Sequence, residues 1–389
     1  MSTTAVLHYE ERGNPDGPAL VLLGSLGSDL SMWTPQLIAL ADRFRLVAID
    51  HRGHGKSEVP PGPYTVADLA GDTLAVLDSL AIDSAHFVGL SLGGAVSQWL
   101  AIHHQDRVRT LTLLCTAANF APSQAWTDRA ATVRADGVDS IADAIVDRWF
   151  SPHLTARDSE FVAAHRQMIA ATPDEGYAGC CEALATFDAR PDLARIVAPT
   201  LVIAGAVDPA TPPDLMRSQL ADQITGAKFH VLDPGAHLVS AEQAGPVSAL
   251  IAEHAGGAEA RSAAHDAGMR VRRSVLGDAH VDRAVEGTTE FTAPFQDFIT
   301  RTAWGDIWNR PGLDHRTRRL LTLAVLTAVG NEHELDMHIR AALRAGLDPD
   351  DLVEVFLHTA VYAGVPNSNR AFALGKAALA EIDPAESTP

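Results

Sequence analysis

Short apolar runs alternate with longer amphipathic stretches over the first two-thirds of the chain. The runs Ala19–Leu23, Leu46–Ile49, Ala85–Val88, Thr110–Leu114, Leu201–Ala204 and Phe229–Leu232 are brief and rich in aliphatic side chains. That is the pattern of strands buried on both faces. Helical periodicity lies between most of them, including Ala67–Leu80 and Gly94–His103. The alternation predicts a mostly parallel, doubly wound α/β sheet. The stretch 122–190 interrupts it, because it holds no clear strand and reads as several helices.

The pattern changes class after Ala255. The segment 256–269 is rich in small residues without apolar periodicity, which predicts a linker. Beyond Met269, five stretches read as amphipathic helices: Phe291–Trp304, Asp314–Val329, Glu332–Ala345, Asp348–Ala363 and Asn367–Ile382. Gly330, Gly346 and Gly364 stand near their ends as stops, and Asp348-Pro349 is a helix start. The expected organisation is therefore an α/β domain over 1–255, with a helical insertion at about 122–190, and an all-α domain over 270–389.

Composition narrows the function classes. The formal net charge of −19 argues against nucleic acid as a partner, and an anionic substrate would need local arginines or histidines. Three cysteines, Cys115 and the adjacent Cys180 and Cys181, do not form a disulfide framework, so a reducing cytoplasm is expected. The start Met1-Ser-Thr-Thr-Ala lacks a basic region followed by an apolar core, so no signal peptide is expected. The longest apolar stretch, Leu320–Val329, is too short to span a membrane.

The pentapeptide Gly89-Leu-Ser-Leu-Gly93 lies between an apolar run and a helical pattern. A strand, a sharp turn and a helix are the context that a G-x-S-x-G nucleophile elbow requires. Asp208 and His237 follow in the order Ser, Asp, His, each just after a strand-like run. Alone, Asp208 reads equally well as a helix cap before Pro209 and His237 as a turn residue. Together with the elbow they predict a nucleophilic triad, in which Ser91 attacks a carbonyl, His237 takes its proton and Asp208 orients the imidazole. The oxyanion donors are expected to be the backbone N–H of Leu92 and one from Gly24-Ser-Leu-Gly27, with Leu26 first and Ser25 second. The helical insertion would sit over Ser91 as a lid, whereas His51 and His54 read as structural residues of a turn.

Five segments then carry a resemblance: Gly24-Ser-Leu-Gly-Ser-Asp-Leu-Ser-Met-Trp33, Asp50-His-Arg-Gly-His-Gly-Lys-Ser57, Gly89–Gly94, Arg148-Trp-Phe-Ser-Pro152 and Gly235-Ala-His237. Together they resemble the 3-oxoadipate enol-lactone hydrolases, α/β-hydrolases that open a small enol-lactone bearing an acetate arm. The resemblance covers residues 1 to about 255. It places the triad on Ser91, Asp208 and His237 and makes Arg129, Arg148 and Trp149 candidates for gripping the acetate carboxylate.

In the all-α domain, Glu334 and His338 form an i,i+4 pair on one helix face. By spacing alone they could be metal ligands, a proton-transfer pair or a solvated pair. No further ligand set completes a metal site, and the solvated reading is the simplest. Arg316-Thr-Arg-Arg319, the segment from Glu332 to Gly346, and Val361-Tyr-Ala-Gly-Val-Pro-Asn367 resemble the 4-carboxymuconolactone decarboxylases. That family is helical, cofactor-free and similar to the alkylhydroperoxidase D proteins, whose Cys-x-x-Cys pair is replaced here by His333 and Asp336.

The second resemblance implies His338 as acid or oxyanion donor and Glu334 as the residue tuning it. Arg318, Arg319 or Arg340 would receive carboxylate, with His315 and His358 in reserve. It also implies a homo-oligomer assembled through this domain. The two resemblances reinforce each other, because the product of a decarboxylase in the second domain would be the lactone opened by the first. A bifunctional enzyme of protocatechuate catabolism acting on small-molecule lactones is therefore expected. The alternative is a single-activity hydrolase with a non-catalytic helical oligomerisation domain.

Overall fold

The structure is a computed structural model that describes residues 4–382; residues 1–3 and 383–389, the outer ends of the two expected domains, lie outside it. The chain divides into two compact units at Glu259 and Ala260.

The first unit is built on a seven-stranded sheet. Its strands are β1 (Tyr9–Gly13), β2 (Ala19–Leu23), β3 (Arg45–Ile49), β4 (Ala85–Leu90), β5 (Val108–Leu114), β6 (Thr200–Gly205) and β7 (Lys228–Leu232), in the order β1-β3-β2-β4-β5-β6-β7. All neighbours pair in parallel except β1, which runs antiparallel to β3 at the edge. The six apolar runs correspond to β2 through β7. The sequence reading missed β1 because Tyr-Glu-Glu-Arg-Gly is polar: an edge strand exposed along much of its length has no apolar signature. β2 and β4 are buried throughout and form the centre of the core, where each leucine or valine contributes about 1.5–3 kcal/mol by leaving water.

Helices cover the sheet for recognisable reasons. Val66–Ser79 begins at a reciprocal cap, in which Thr65 accepts from the Asp68 N–H while Asp68 accepts from the Thr65 N–H. The insertion after β5 is five helices: Ser123–Asp136, Asp139–Trp149, Pro152–Arg157, Ser159–Ala170 and Asp174–Thr186.

The second unit is helical among its described residues. Asp314 caps His315–Val329, Gly330 ends it in the left-handed conformation, and Asp348 caps Pro349–Ala363 with Pro349 in the first turn. Leu323, Leu335, Ile339, Leu352 and Phe356 are buried in its core. Two expectations need correction. Residues 256–269 are not an open linker but lie within the long helix Ala244–Leu276. Alanine, glutamate and arginine are strong helix formers, and their small or polar side chains conceal the periodicity. The expected helix Phe291–Trp304 is instead Ala293–Ile299 continued by a wider π-helical segment, Thr300–Ile307.

Candidate active sites

Ser91 stands between β4 and the helix Leu92–His103 at φ 55° and ψ −109°, a strained conformation for a residue with a Cβ. Its N–H donates to the Leu114 carbonyl at 3.0 Å, and its carbonyl accepts from Thr116 Oγ1 at 2.7 Å. The turn closes only with glycine beside it: a Cβ on Gly93 would meet the Leu23 carbonyl oxygen at 2.1 Å, and one on Gly89 the Gly93 carbonyl at 2.2 Å. Strain of this kind is kept where surrounding bonds fix it, and here it holds the serine at the end of a central strand.

Asp208 follows β6 and His237 follows β7. Asp208 Oδ2 accepts from His237 Nδ1 at 2.9 Å and from Thr211 Oγ1 at 2.6 Å, while Oδ1 accepts the N–H groups of Ala210 and Thr211. Burial pushes the Asp208 carboxyl up, but the adjacent His237 and these hydrogen bonds outweigh it and bring it down to about 2. Asp208 is thus a fixed anion, suited to orienting an imidazole. Burial first, with Asp208 second, pushes the Cys115 thiol up. Cys115, Asp208 and His237 place donor atoms within 4.8 Å of one another, the one three-donor group of this kind among the described residues. A protonated thiol and a carboxylate already committed to histidine suit proton handling better than metal ligation.

The loop Gly24–Gly27 follows β2, the strand beside β4. The Gly93 N–H donates to the Gly24 carbonyl at 2.9 Å, locking the loop against the elbow. Two buried histidines hold its other side: His51 Nε2 donates to the Gly24 carbonyl at 3.1 Å, and the Gly27 N–H donates to His54 Nε2 at 2.9 Å. The acceptor role of His54 requires a neutral ring, and burial lowers both pKa values, that of His51 to about 3. Leu92, first in its helix, has an N–H with no intrahelical acceptor.

A cavity of about 240 Å³ is lined by Ser91, His237, Ser25 and Leu26 together with the lid residues Arg129, Arg148 and Trp149. Arg129 lies 4.7 Å over the Trp126 ring. Neither Arg129 nor Arg148 pairs with a carboxylate among the described residues. The lid is tied to the histidine loop through the backbone, with the Leu238 N–H donating to the Trp149 carbonyl at 2.8 Å. Glu242 adds a second tie by accepting the N–H groups of Ser151 and Ala236.

In the second unit, Glu334 and His338 lie on the helix Glu332–Arg344. Burial lowers the His338 pKa against the Glu334 charge, and His280 and Arg319 lower it further. His280 belongs to this group although its sequence context, Gly277-Asp-Ala-His, gave no signal. Arg340 is already held by Asp336 at 2.9 Å and by Glu381. Arg318 donates to the Arg310 carbonyl and Arg319 reaches the Ser274 carbonyl at 3.5 Å; the Nε of each is buried without a partner. His315 packs edge-on to Trp308, and His358 is exposed beside Tyr362. A cavity of about 510 Å³ is lined by His280, Arg283, Met337, Arg340 and Arg344.

The sequence matches the alpha/beta hydrolase fold family over residues 18–244 and the carboxymuconolactone decarboxylase family over residues 293–377. The 3-oxoadipate enol-lactonase 2 of Acinetobacter baylyi is 42% identical over 238 residues, which are 61% of this chain and 88% of that protein. The 4-carboxymuconolactone decarboxylase of the same organism is 46% identical over 115 residues, 30% of this chain and 86% of that protein. The crystal structure of the enol-lactonase from Burkholderia xenovorans matches with a TM-score of 0.62 and 40% identity, covering 64% of this chain and 95% of that one. The chain belongs to the α/β hydrolase family, fused to a carboxymuconolactone decarboxylase domain.

In the hydrolase domain, sequence reasoning missed Trp126, Tyr177 and Thr211, which also line the Ser91 cavity. Thr211 was readable in principle, since a hydroxyl three residues after Asp208 can bond back to its carboxylate. Trp126 and Tyr177 were not, because lid helices meet the sheet only in three dimensions. In the decarboxylase domain the same holds for His280 and for Arg272, a buried arginine of the long helix.

Proposed function

We propose that the protein decarboxylates 4-carboxymuconolactone in its second unit and hydrolyses the resulting 3-oxoadipate enol-lactone to 3-oxoadipate in its first. The observation that carries this reading is that one chain spans nearly the whole of an enol-lactonase and of a 4-carboxymuconolactone decarboxylase, two relatives whose reactions join end to end. No helix among the described residues is long and apolar enough to cross a membrane.

In the first unit, Ser91 Oγ attacks the lactone carbonyl while His237 takes its proton and Asp208 stabilises the imidazolium. The N–H groups of Leu92 and Leu26, with Ser25 as the alternative, receive the oxyanion. Collapse expels the enol oxygen, which takes the proton from His237; the released enol then tautomerises, losing its O–H proton and gaining one at carbon, to give the 3-oxo group. Water then releases the acyl chain from Ser91. Arg129 and Arg148, which pair with no carboxylate among the described residues and line the cavity beside Trp149, fit the acetate carboxylate of such a substrate.

In the second unit, loss of CO2 from the ring carbon γ to the lactone carbonyl sends the electron pair through the C=C bond onto that carbonyl oxygen. A proton delivered to the α carbon completes the enol-lactone. His338, neutral through burial, supplies a hydrogen bond or that proton, and Glu334 tunes it. Arg318 and Arg319 have unpartnered donors for carboxylate, whereas Arg340 is occupied by Asp336 and Glu381.

The same unit carries the assembly surface of a homo-oligomer. Val361 and Tyr362 are 79% and 80% exposed, and Val325 and Val329 are also bare to solvent. Apolar exposure of this extent marks an interaction surface.

The test is CO2 release and 3-oxoadipate formation from 4-carboxymuconolactone by wild type and Ser91→Ala. Wild type is expected to reach 3-oxoadipate, and Ser91→Ala to release CO2 but stop at the enol-lactone. A wild type that releases no CO2 beyond the spontaneous rate leaves the hydrolase alone, with the helical unit as an assembly module.

A further inference from the structure

Arg272 occupies an unusual place in the second unit. The helix Ala244–Leu276 crosses the segment Thr300–Ile307 so closely that a Cβ on Gly268 would meet the Thr300 carbonyl oxygen at 1.9 Å, and one on Gly305 the Ala264 carbonyl at 2.4 Å. Ala264, Gly268 and Arg272 follow one another at four-residue spacing, so the face that makes the crossing carries Arg272 onto Thr300. There Arg272 is 5% exposed. Its Nη1 donates to Gln296 Oε1 at 3.0 Å and to Thr300 Oγ1 at 3.4 Å, while its Nε is buried without a partner. No carboxylate among the described residues pairs with it. A buried guanidinium lacking a counterion is unfavourable, and an anion supplied from outside would relieve it.

The surroundings fit such an anion. Leu276, one turn along the same face, lines the 510 Å³ cavity with His280. Burial first and the Arg272 charge second depress His280, and His280 in turn acts on His338, so the three lie in one electrostatic cluster. Arg319 reaches the carbonyl of Ser274, two residues from Arg272, and its Nε is also unpartnered. A buried arginine and a half-buried one with a buried Nε, neither paired with a carboxylate among the described residues, therefore flank the His338 group. The substrate proposed above carries a carboxylate and an acetate arm on one ring carbon, and the carboxylate bonded directly to the ring departs as CO2. An ionic clamp on the departing group would favour the ground state over the transition state. The firmly anchored arginine suits the group that stays.

We infer that Arg272 is a substrate-binding residue of the second unit, clamping the retained acetate carboxylate through the Nε edge of its guanidinium in a bidentate contact. This rests on the decarboxylase reading above.

Homocitrate lactone tests it, because it is the saturated counterpart of 4-carboxymuconolactone. It carries both carboxylates but lacks the C=C bond that receives the electrons. Its inhibition constant against CO2 release is measured in full-length Ser91→Ala protein, which cannot hydrolyse it, with and without Arg272→Met. Both this constant and KM for 4-carboxymuconolactone are expected to rise ~100-fold in Arg272→Met, the usual result of removing one partner of a buried ionic contact. The thermal midpoint is expected to hold or rise, since an unpaired buried cation has gone. Arg272→Lys keeps the charge without the fork and is expected to give a rise of about 10-fold; it decides the matter if Arg272→Met folds poorly.

Both constants unchanged within about twofold, with the parent fully active, overturn the assignment of Arg272 alone. A midpoint that falls while both constants stay fixed shows a structural role and overturns it too. A parent protein that neither releases CO2 nor is inhibited by homocitrate lactone overturns the decarboxylase reading, and the clamp with it.

Discussion

At the residue scale, the hydrolase site proposed above rests on three side chains whose environments differ in kind. Ser91 is strained, Asp208 is a buried fixed anion, and His237 bridges from it toward the cavity they share. Asp208→Asn keeps the shape but leaves the imidazole in the wrong tautomer with no charge behind it. Lactone hydrolysis should fall by roughly 10⁴-fold in kcat, while CO2 release is unchanged. Stopped assays of the two products on the same preparation check this, and a parallel loss of both activities would point to misfolding instead. The triad was legible in the sequence because each member sits next to a strand-like run in a fixed order. His280 and Arg272 were not, since nothing within a few residues of either marks it as part of a site.

At the element scale, the lid and the histidine loop are one mechanical piece. Glu242 accepts N–H groups from Ser151 on the lid and Ala236 beside His237, and the Trp149 carbonyl accepts the Leu238 N–H. Glu242→Ala leaves those donors unsatisfied and should cost about 1–3 kcal/mol of stability in the first unit. Because the same contacts place His237, kcat for the lactone should fall more than KM rises. Denaturant titration with steady-state kinetics separates the two effects, and a stable variant with normal kcat would refute the coupling. The helices and strands themselves were readable from periodicity. The polar edge strand Tyr9–Gly13 and the helix through 256–269 were not, because one lacks apolar residues and the other disguises a helix with small ones.

At the scale of the whole molecule, buried neutral histidines set the acid limit. His51 is held down to about 3, and burial also lowers His54, His165 and His254. An unfolded chain binds protons at such residues as pH falls below about 6.5, whereas the folded first unit does not. Stability is therefore fully present above that pH and is lost progressively toward the folded value, for His51 about 3. The depressed Asp208 contributes in the same sense, its share being lost as pH falls from about 4 toward 2. Thermal melts from pH 7 to 4 should show a falling midpoint for the first unit, and His51→Gln should flatten the slope; a midpoint flat over this range contradicts the assignment. Assembly is tested at the same scale. Wild type should run above its 41.3 kDa monomer mass by light scattering, and Val329→Asp should shift it toward the monomer; a monomeric wild type removes the proposed interface.

What the sequence by itself determined follows from local physics. Strand and helix periods, the glycine-flanked serine, the order of Ser91, Asp208 and His237, and the change from α/β to all-α are each carried by a few neighbouring residues. Tertiary structure alone decided which arginines have partners. Arg340 is neutralised by Asp336 and by Glu381, on the chain's last described helix, whereas the buried Arg272 and the half-buried Arg319 pair with no carboxylate among the described residues. A charge looks the same in sequence whether it is solvated, paired or left waiting for an anion. The difference lies in what packs around it, and that is set by residues far away in the chain.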